Sequence, residues 1–360
     1  MRVYLATFGC RANHYDTEMA RAMLEAGGAA VVSSPADADV AVVNSCAVTA
    51  QAEADLRQHV RRAARANPAL RTTVIGCAAA LDRGAIRALP TVEHVIGGAD
   101  LPALAAALGL DPALAARRPA AQTGARALLR IQDGCDEHCT FCATTLARGA
   151  NRSRPIATLL EEATALAEHH PEIVLTGVHI GSYGRDLGTS LGELVEQLVR
   201  AVPRARFRLS SVEATEVDDR LRELLTSPGS GLVPYLHTPL QSGSDRVLKR
   251  MGRHWYTAAS YAHAIERLVR DAPVFGLGAD IIAGFPGETE HDHRATLALV
   301  DALPFTALHV FPYSVRPGTA AVRLPERVSP ADITQRAREL RAAGAAKSAA
   351  HRAARHGGVA

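Results

Sequence analysis

Apolar and polar positions in the first hundred residues follow two periods. Val3–Ala6, Ala30–Val32, Val40–Val43, Thr73–Ile75 and His94–Ile96 are short apolar runs. Asp16–Ala26, Ala50–Ala66 and Arg83–Ala88 carry the wider spacing of amphipathic helices. Short apolar strands alternating with helices predict a parallel α/β sheet. Ligands of such sheets bind beyond the carboxyl ends of the strands. Cys10, Cys46 and Cys77 each follow one of these runs, in VYLATFGC, VAVVNSC and TTVIGC. Parallel strands would therefore bring three cysteines distant in sequence to one edge of the sheet.

The pattern breaks at Leu110–Ala125, which holds Pro112, Pro119, Gly124 and the Arg117–Arg118 pair without a clear period and reads as a linker. A second series of runs follows: Ala127–Ile131, Ile173–Thr176, Arg206–Leu209, Val233–His237, Val274–Ile282 and Ala307–Phe311. Helical spacing lies between them at Thr158–His169, Leu191–Val199, Tyr256–Asp271 and Glu290–Leu303. A run of βα units predicts an open or partial barrel. From Ser329 the chain is an Ala/Arg helix pattern that frays over His351–Ala360. The division expected is residues 1–108, a linker 109–126, a second α/β domain 127–345, and a tail 346–360.

Composition narrows the class. Of 360 residues, 48% are hydrophobic and 21% charged, which suits a globular chain with a large core and argues against disorder. The balance of 40 basic and 37 acidic side chains gives a net charge of +3, too small to mark a nucleic-acid binder by itself. Only Lys249 and Lys347 are lysines, so the arginines reflect a compositional bias as much as a choice for phosphate geometry. Met1–Thr7 lacks the pattern of a secretory leader, and no apolar stretch is long enough to span a bilayer. The expected compartment is the cytoplasm, with no membrane partner. Thiols stay reduced there, so the six cysteines read as ligands or catalysts before disulfides.

The other three cysteines lie close together, in Ile131-Gln-Asp-Gly-Cys135-Asp-Glu-His-Cys139-Thr-Phe-Cys142. The spacing C-x3-C-x2-C sits on a loop after the first strand of the second domain. Three thiolates on one loop can bind three irons of a cubane and leave the fourth open, whereas fully ligated clusters use four cysteines. The open iron can chelate the amino and carboxylate groups of S-adenosylmethionine. A zinc site is the alternative on spacing alone, but zinc pairs C-x2-C with a second ligand pair. None lies nearby, although His138 could contribute one ligand.

This motif resembles the radical-SAM signature, with Phe141 at the position whose aromatic ring lies against the adenine. Later segments agree in order. Leu175-Thr176-Gly177 resembles the segment contacting the methionine amino group. Arg208-Leu-Ser-Ser211-Val-Glu213 resembles the strand reaching the ribose. Asp280-Ile-Ile282-Ala-Gly-Phe-Pro-Gly-Glu288 resembles the late strand and turn flanking the adenine. The surroundings of Cys10, Cys46 and Cys77, among them TFGCRANHYDTE, resemble the N-terminal domain of the methylthiotransferases. That resemblance extends to about residue 345. It implies a flavodoxin-like domain followed by a radical-SAM partial (βα)6 barrel, two [4Fe–4S] clusters held by the two cysteine sets, and S-adenosylmethionine.

Within that family, LTGVHIGSYGRDL, RLSSVE and LHTPLQSGSDRVLKRMGR look most like the branch acting on C2 of N6-threonylcarbamoyladenosine at tRNA position 37. The resemblance implies a radical generated at Cys135, Cys139 and Cys142 that abstracts hydrogen from that carbon. Sulfur is then presented from Cys10, Cys46 and Cys77, with the anticodon stem-loop and a flavodoxin- or ferredoxin-type electron donor as partners. The alternatives are an isopentenyl-adenosine of tRNA, a ribosomal-protein aspartate, or a degenerate two-cluster iron–sulfur protein. Three features depart from the family's pattern. Thr145 stands where Pro is common, and His179 where Asn is usual. The small RNA-binding β-barrel that usually ends these proteins is not expected in the tail. Arg61, Arg62, Arg65, Arg148, Arg152 and Arg154 are candidate substitutes for it, or simply solvated faces.

Overall fold

We describe a computed structural model of the chain over residues 1–270, 272 and 274–355. Two compact units are present: residues 1–137 with 143–178, and residues 138–142 with 179–360.

The first unit opens with strand β1 (Arg2–Thr7), helix α1 (Arg11–Ala26), β2 (Ala30–Val32), β3 (Val40–Ser45), α2 (Ala50–Ala66), β4 (Arg71–Gly76), the short α3 (Cys77–Ala80), β5 (Val92–Gly97) and α4 (Leu101–Ala107). The five strands form one sheet in the order β2-β1-β3-β4-β5, and every pairing is parallel. This is the 2-1-3-4-5 order of the flavodoxin-like doubly wound fold, whose switch point lies between β1 and β3. Strand β3 is buried at every position, as a central strand covered on both faces must be. One face packs Val3, Val40, Val42 and Ile75 against Met19, Met23 and Leu24 of α1 and Leu104 of α4. The opposite face packs Val43 and Val74 against Leu56 and Val60 of α2. Helix α2 starts where the Thr49 hydroxyl accepts the Ala52 N–H at 3.1 Å, a conventional N-cap.

One expectation in this region needs correction. Residues 83–88 form a turn, not a helix. Gly84 takes φ +101°, the Asp82 carboxylate accepts the N–H groups of Ile86 and Arg87 at 2.9 and 3.3 Å, and Pro90 follows. These local bonds compete with the helical ladder. The linker segment contains a 3-10 helix, Pro112–Ala116, capped by Asp111. Leu110 and Leu114 pack on the α1 face of the core.

The first unit continues with β6 (Ala127–Arg130), β7 (Gln132–Asp133), α5 (Thr144–Arg148), β8 (Arg152–Ser153), α6 (Ile156–Ala167) and β9 (Glu172–Thr176). Strands β6 and β9 pair in parallel, and β7 and β8 form a short antiparallel pair. The second unit holds α7 (Leu191–Ala201), β10 (Arg206–Leu209), α8 (Asp219–Thr226), β11 (Tyr235–Gln241), α9 (Asp245–Arg250), α10 (Ala258–Arg270), β12 (Gly276–Ala283), α11 (Glu290–Ala302), β13 (Ala307–Pro312) and α12 (Pro330–Ala354). Strands β11, β12 and β13 form a parallel sheet in that order.

Strand β11 runs on to Gln241, past the end expected at His237. Its register shifts between Pro239 and Gln241, because Pro239 has no N–H to give the ladder. The end expected at Asp271 for the helix that starts near Tyr256 lies outside the described residues. The tail is helical through Ala354, starting where the Ser329 hydroxyl accepts the Asp332 N–H at 3.1 Å. Residues 356–360 of the expected frayed end lie outside the described residues. Among the described residues, no helix is long and apolar enough to cross a membrane.

Candidate functional site

Cys10, Cys46 and Cys77 follow β1, β3 and β4, which are adjacent in the sheet. Their convergence is centred on Asn13. The thiols of Cys10 and Cys77 both donate to Asn13 Oδ1, at 3.7 and 3.9 Å. Asn13 Nδ2 donates in turn to the carbonyls of Phe8 and Ser45, at 3.0 and 2.8 Å. Cys46 lies against Gly9: a Cβ there would stand 2.7 Å from Cys46 Cβ and 2.8 Å from its Sγ, and Gly9 has φ +112°. Glycine meets both demands, close approach and a left-handed backbone. Cys10 occupies the N-cap of the 16-residue α1 with no side-chain cap bond.

A buried arginine completes this set. Arg148, at the end of α5, donates from Nε to Cys77 Sγ at 3.3 Å. Its Nη2 donates to Asn13 Oδ1 at 2.9 Å and to Asp16 Oδ2 at 2.7 Å, and its Nη1 to Asp133 Oδ1 at 3.0 Å. Asp16 also takes a contact from Arg130. Burial pushes the Cys77 thiol up, and Arg148 pulls against that. Burial likewise disfavours charge on Arg148, but Asp16, Cys77 and Asp133 outweigh it and hold the guanidinium firmly charged. Arg148 therefore belongs neither to a solvated face nor to an exposed RNA-binding patch. By contrast, Arg61, Arg62, Arg65 and Arg152 are exposed. The only sequence signal for Arg148 was its place after Cys142; its link to Asn13 and Cys77 is tertiary.

The second cysteine set lies on the loop that passes from the first unit into the second. Cys135 is held through its N–H, which donates to Gly149 O at 3.0 Å. Gly134, before it, has φ +71°, and a Cβ there would meet Ala150 O at 1.9 Å. Cys139 and Cys142 share one turn, the Cys142 N–H donating to Cys139 O at 3.1 Å. Between them Thr140 is clamped by N–H to Met251 O at 2.8 Å and by hydroxyl to Arg250 O at 2.8 Å. Arg253 Nη1 donates to Cys139 Sγ at 3.5 Å, its Nη2 pairs with Glu213, and its Nε donates to Tyr256 Oη at 2.9 Å. The guanidinium also lies over the Trp255 ring, 4.7 Å from its centroid. Burial pushes the Cys139 thiol up to about 12, against the pull of Arg253.

The remaining expected contacts divide between the units. Thr176 is the buried last residue of β9, followed by Gly177, in the first unit. In the second, Phe141 packs edge-on to Phe285 with centroids 6.3 Å apart, three residues beyond Ile282 on β12. Ser211 bridges to His237 beside β11. Glu213 is buried, and its Oε2 is the carboxylate oxygen left without a partner. A buried, unpaired acceptor is costly and fits an incoming hydroxyl donor such as a ribose. His179 pairs with Glu216 at 2.9 Å, which agrees with a hydrogen-bonding role.

The donor sets fit iron–sulfur clusters. Among the described residues no disulfide joins the six cysteines, and an arginine donates to one sulfur of each set. Clusters are held by such thiolates and tuned by hydrogen bonds to sulfur.

Comparison with known proteins agrees. Residues 2–97 match the family model described as uncharacterized protein family UPF0004, and residues 129–300 match the radical SAM superfamily. The threonylcarbamoyladenosine tRNA methylthiotransferase MtaB of Bacillus subtilis is 37% identical over 342 residues, 89% of this chain and 75% of that protein. Its namesake from Thermotoga maritima is 35% identical over 336 residues, 89% of this chain and 77% of that protein. A tRNA-2-methylthio-N(6)-dimethylallyladenosine synthase of a Ruegeria strain is 34% identical, covering 95% of this chain and 82% of that protein. Among solved structures, the radical S-adenosylmethionine methyltransferase TsrM of Kitasatospora setae has the same fold at a TM-score of 0.66, 16% identity, and coverage of 89% and 76%. The two matched domains and these relatives show that the chain is a transferase that works with S-adenosylmethionine and a [4Fe–4S] cluster, and that it belongs to the radical-SAM methylthiotransferase family.

Proposed function

We propose that this protein methylthiolates C2 of N6-threonylcarbamoyladenosine at position 37 of tRNA, next to the anticodon. Cys135, Cys139 and Cys142 hold the cluster that binds S-adenosylmethionine, and Cys10, Cys46 and Cys77 hold a second [4Fe–4S] cluster. The observation that carries this reading is the gathering of Cys10, Cys46 and Cys77 around Asn13 at the switch point of the sheet. A radical-SAM enzyme that only cleaved its cosubstrate has no use for a second set of thiols. The relatives named for threonylcarbamoyladenosine, 33–37% identical over about nine-tenths of the chain, support the choice of base. The dimethylallyladenosine relatives, at 34–36%, favour the second reading, an isopentenylated adenosine.

When bound, the clusters supply the electron that splits the sulfonium and the sulfur that is transferred; the protein orients and shields. Arg253 keeps a positive charge beside the Cys139 sulfur, and Glu213 offers its free oxygen to a ribose hydroxyl. Phe141 presents an aromatic face for the adenine beside Ile282. Thr176 and Gly177 end β9 where the methionine amino group would be held. Arg148 and Asn13 hold the thiols of the second set. The anticodon stem-loop offers an unpaired base, which is how RNA is read with specificity. A cavity of about 460 Å³ in the first unit is lined by Arg130, Arg148, Arg152 and Arg154 together with Asp100 and Asp133. The electron donor is a small flavodoxin- or ferredoxin-type protein, and the compartment is the cytoplasm.

The test is anaerobic reconstitution followed by reaction with tRNA and S-adenosylmethionine. Cys10→Ala and Cys77→Ala should keep cosubstrate cleavage to 5′-deoxyadenosine and lose methylthiolation. Cys139→Ala should lose both. Methylthiolation surviving in Cys77→Ala would overturn the assignment of the second set.

A further inference from the structure

The sheet β11-β12-β13 carries a group of polar side chains that the proposed chemistry does not use. Alternation along parallel strands puts every second residue on one face. Tyr235 and His237 of β11, Gly278 and Asp280 of β12, and His309 of β13 fall on one such face. In register, Asp280 lies opposite His309 on one side and Pro239 on the other, and His237 lies opposite Gly278. Three ligand-type atoms converge there. His237 Nε2 is 2.8 Å from Asp280 Oδ1, and His309 Nδ1 is 3.3 Å from the same oxygen. All three atoms lie within 4.8 Å of one another.

We propose that His237, Asp280 and His309 form a mononuclear site for a divalent first-row transition-metal ion such as zinc, separate from both cysteine sets.

Four observations support it. First, ligands about 2.0–2.2 Å from a tetrahedral ion stand roughly 3.4 Å apart, and the two imidazole nitrogens stand 2.8 and 3.3 Å from Asp280 Oδ1. Second, two imidazoles and one carboxylate with no sulfur are a nitrogen–oxygen set that suits zinc, iron(II) or cobalt(II) better than magnesium or calcium. Third, the buried ring is held from behind: Tyr235 Oη is 3.2 Å from His237 Nδ1, the outer-partner arrangement that orients metal-binding histidines. Gly278 makes room for that pair, since a Cβ there would lie 2.4 Å from His237 Nδ1 and 2.6 Å from Tyr235 Oη. Fourth, the site is closed on one side and open on the other. The side chain of His237 is 7% exposed and that of His309 62%, which leaves a path for the ion and a coordination position for water or a ligand oxygen.

The same contacts would serve a metal-free triad in which Asp280 accepts an N–H from each ring. Equilibrium dialysis of the anaerobically reconstituted holoenzyme against zinc, with elemental analysis, separates the two. His309→Gln is the main comparison because that side chain is exposed and its loss spares the core. Wild type should retain one zinc per chain more than His309→Gln and Asp280→Asn do, with iron content unchanged. Tyr235→Phe should weaken zinc binding by roughly 10- to 100-fold. Zinc X-ray absorption should show a nitrogen/oxygen shell at about 2.0–2.1 Å for that extra equivalent. Equal zinc in wild type and His309→Gln, or an extra equivalent with a sulfur shell, would overturn the proposal. Any zinc on vacant cysteines appears equally in all variants, and iron analysis reports it separately as a failure of the cluster assignment.

Discussion

Arg148 shows how much of a site one buried charge can organise. It touches Cys77, Asn13, Asp16 and Asp133 at 2.7–3.3 Å, with its side chain only 3% exposed. Removing one partner of a buried, hydrogen-bonded ion network strands the other charges, at a cost of about 3–5 kcal/mol. Arg148→Gln should lose about that much in chemical denaturation. Arg148→Lys should lose less, since it keeps the charge but not the planar fork. A loss below about 1 kcal/mol in Arg148→Gln would show that the network is not what holds Asp16 and Cys77. The six cysteines were legible in the sequence because their spacing and strand-end positions carry chemical meaning. Arg148 was not, because a lone arginine after a cysteine motif has no local signature. Its partners lie up to 135 residues away, at Asn13.

Individual elements follow local rules, and they depart from the sequence reading where side chains intercept the backbone. The short apolar runs located β1 to β5, each within two residues at either end, though β4 and β5 are twice as long as expected. The turn at 83–88 escaped because Asp82 and Gly84 divert what looks like a helical pattern. Helix α11 shows the rule kept. Thr289 and Asp292 form a capping box, with Asp292 Oδ2 accepting the Thr289 N–H at 2.8 Å. Asp292 also pairs with Arg246 and accepts from Ser244 at 2.6 Å. Burial raises this carboxyl, but the bonds from Arg246, Ser244 and Thr289 outweigh it and hold it well below the usual aspartate range. The sign follows. Its folded value is depressed below the unfolded value of about 3.9, so the stability it adds is present above about pH 4 and is lost as pH falls toward the folded value. Asp292→Asn should therefore be about 1–3 kcal/mol less stable than wild type at pH 7. The difference should narrow at pH 3.5 in matched denaturation curves. A difference unchanged between the two pH values would mean that charge on Asp292 contributes nothing.

For the molecule as a whole, strand order rather than composition locates the chemistry. A net charge of +3 says little, whereas the β2-β1-β3-β4-β5 order puts Cys10 and Cys46 on either side of the switch point. The fold class was legible because parallel βα units leave a strong periodic trace. The His237–Asp280–His309 group was not, because each residue sits on a different strand and only register brings them together. The proposed methylthiolation would join the two cysteine sets into one function, and that proposal has a direct test. The gene is expressed in a strain lacking its own threonylcarbamoyladenosine methylthiotransferase, and tRNA nucleosides are analysed by mass spectrometry. The expected result is a methylthio gain on threonylcarbamoyladenosine with the wild-type gene, and none with Cys77→Ala or Cys139→Ala. An unmodified nucleoside with the wild-type gene, from a protein shown to carry both clusters, would contradict the assignment of this base.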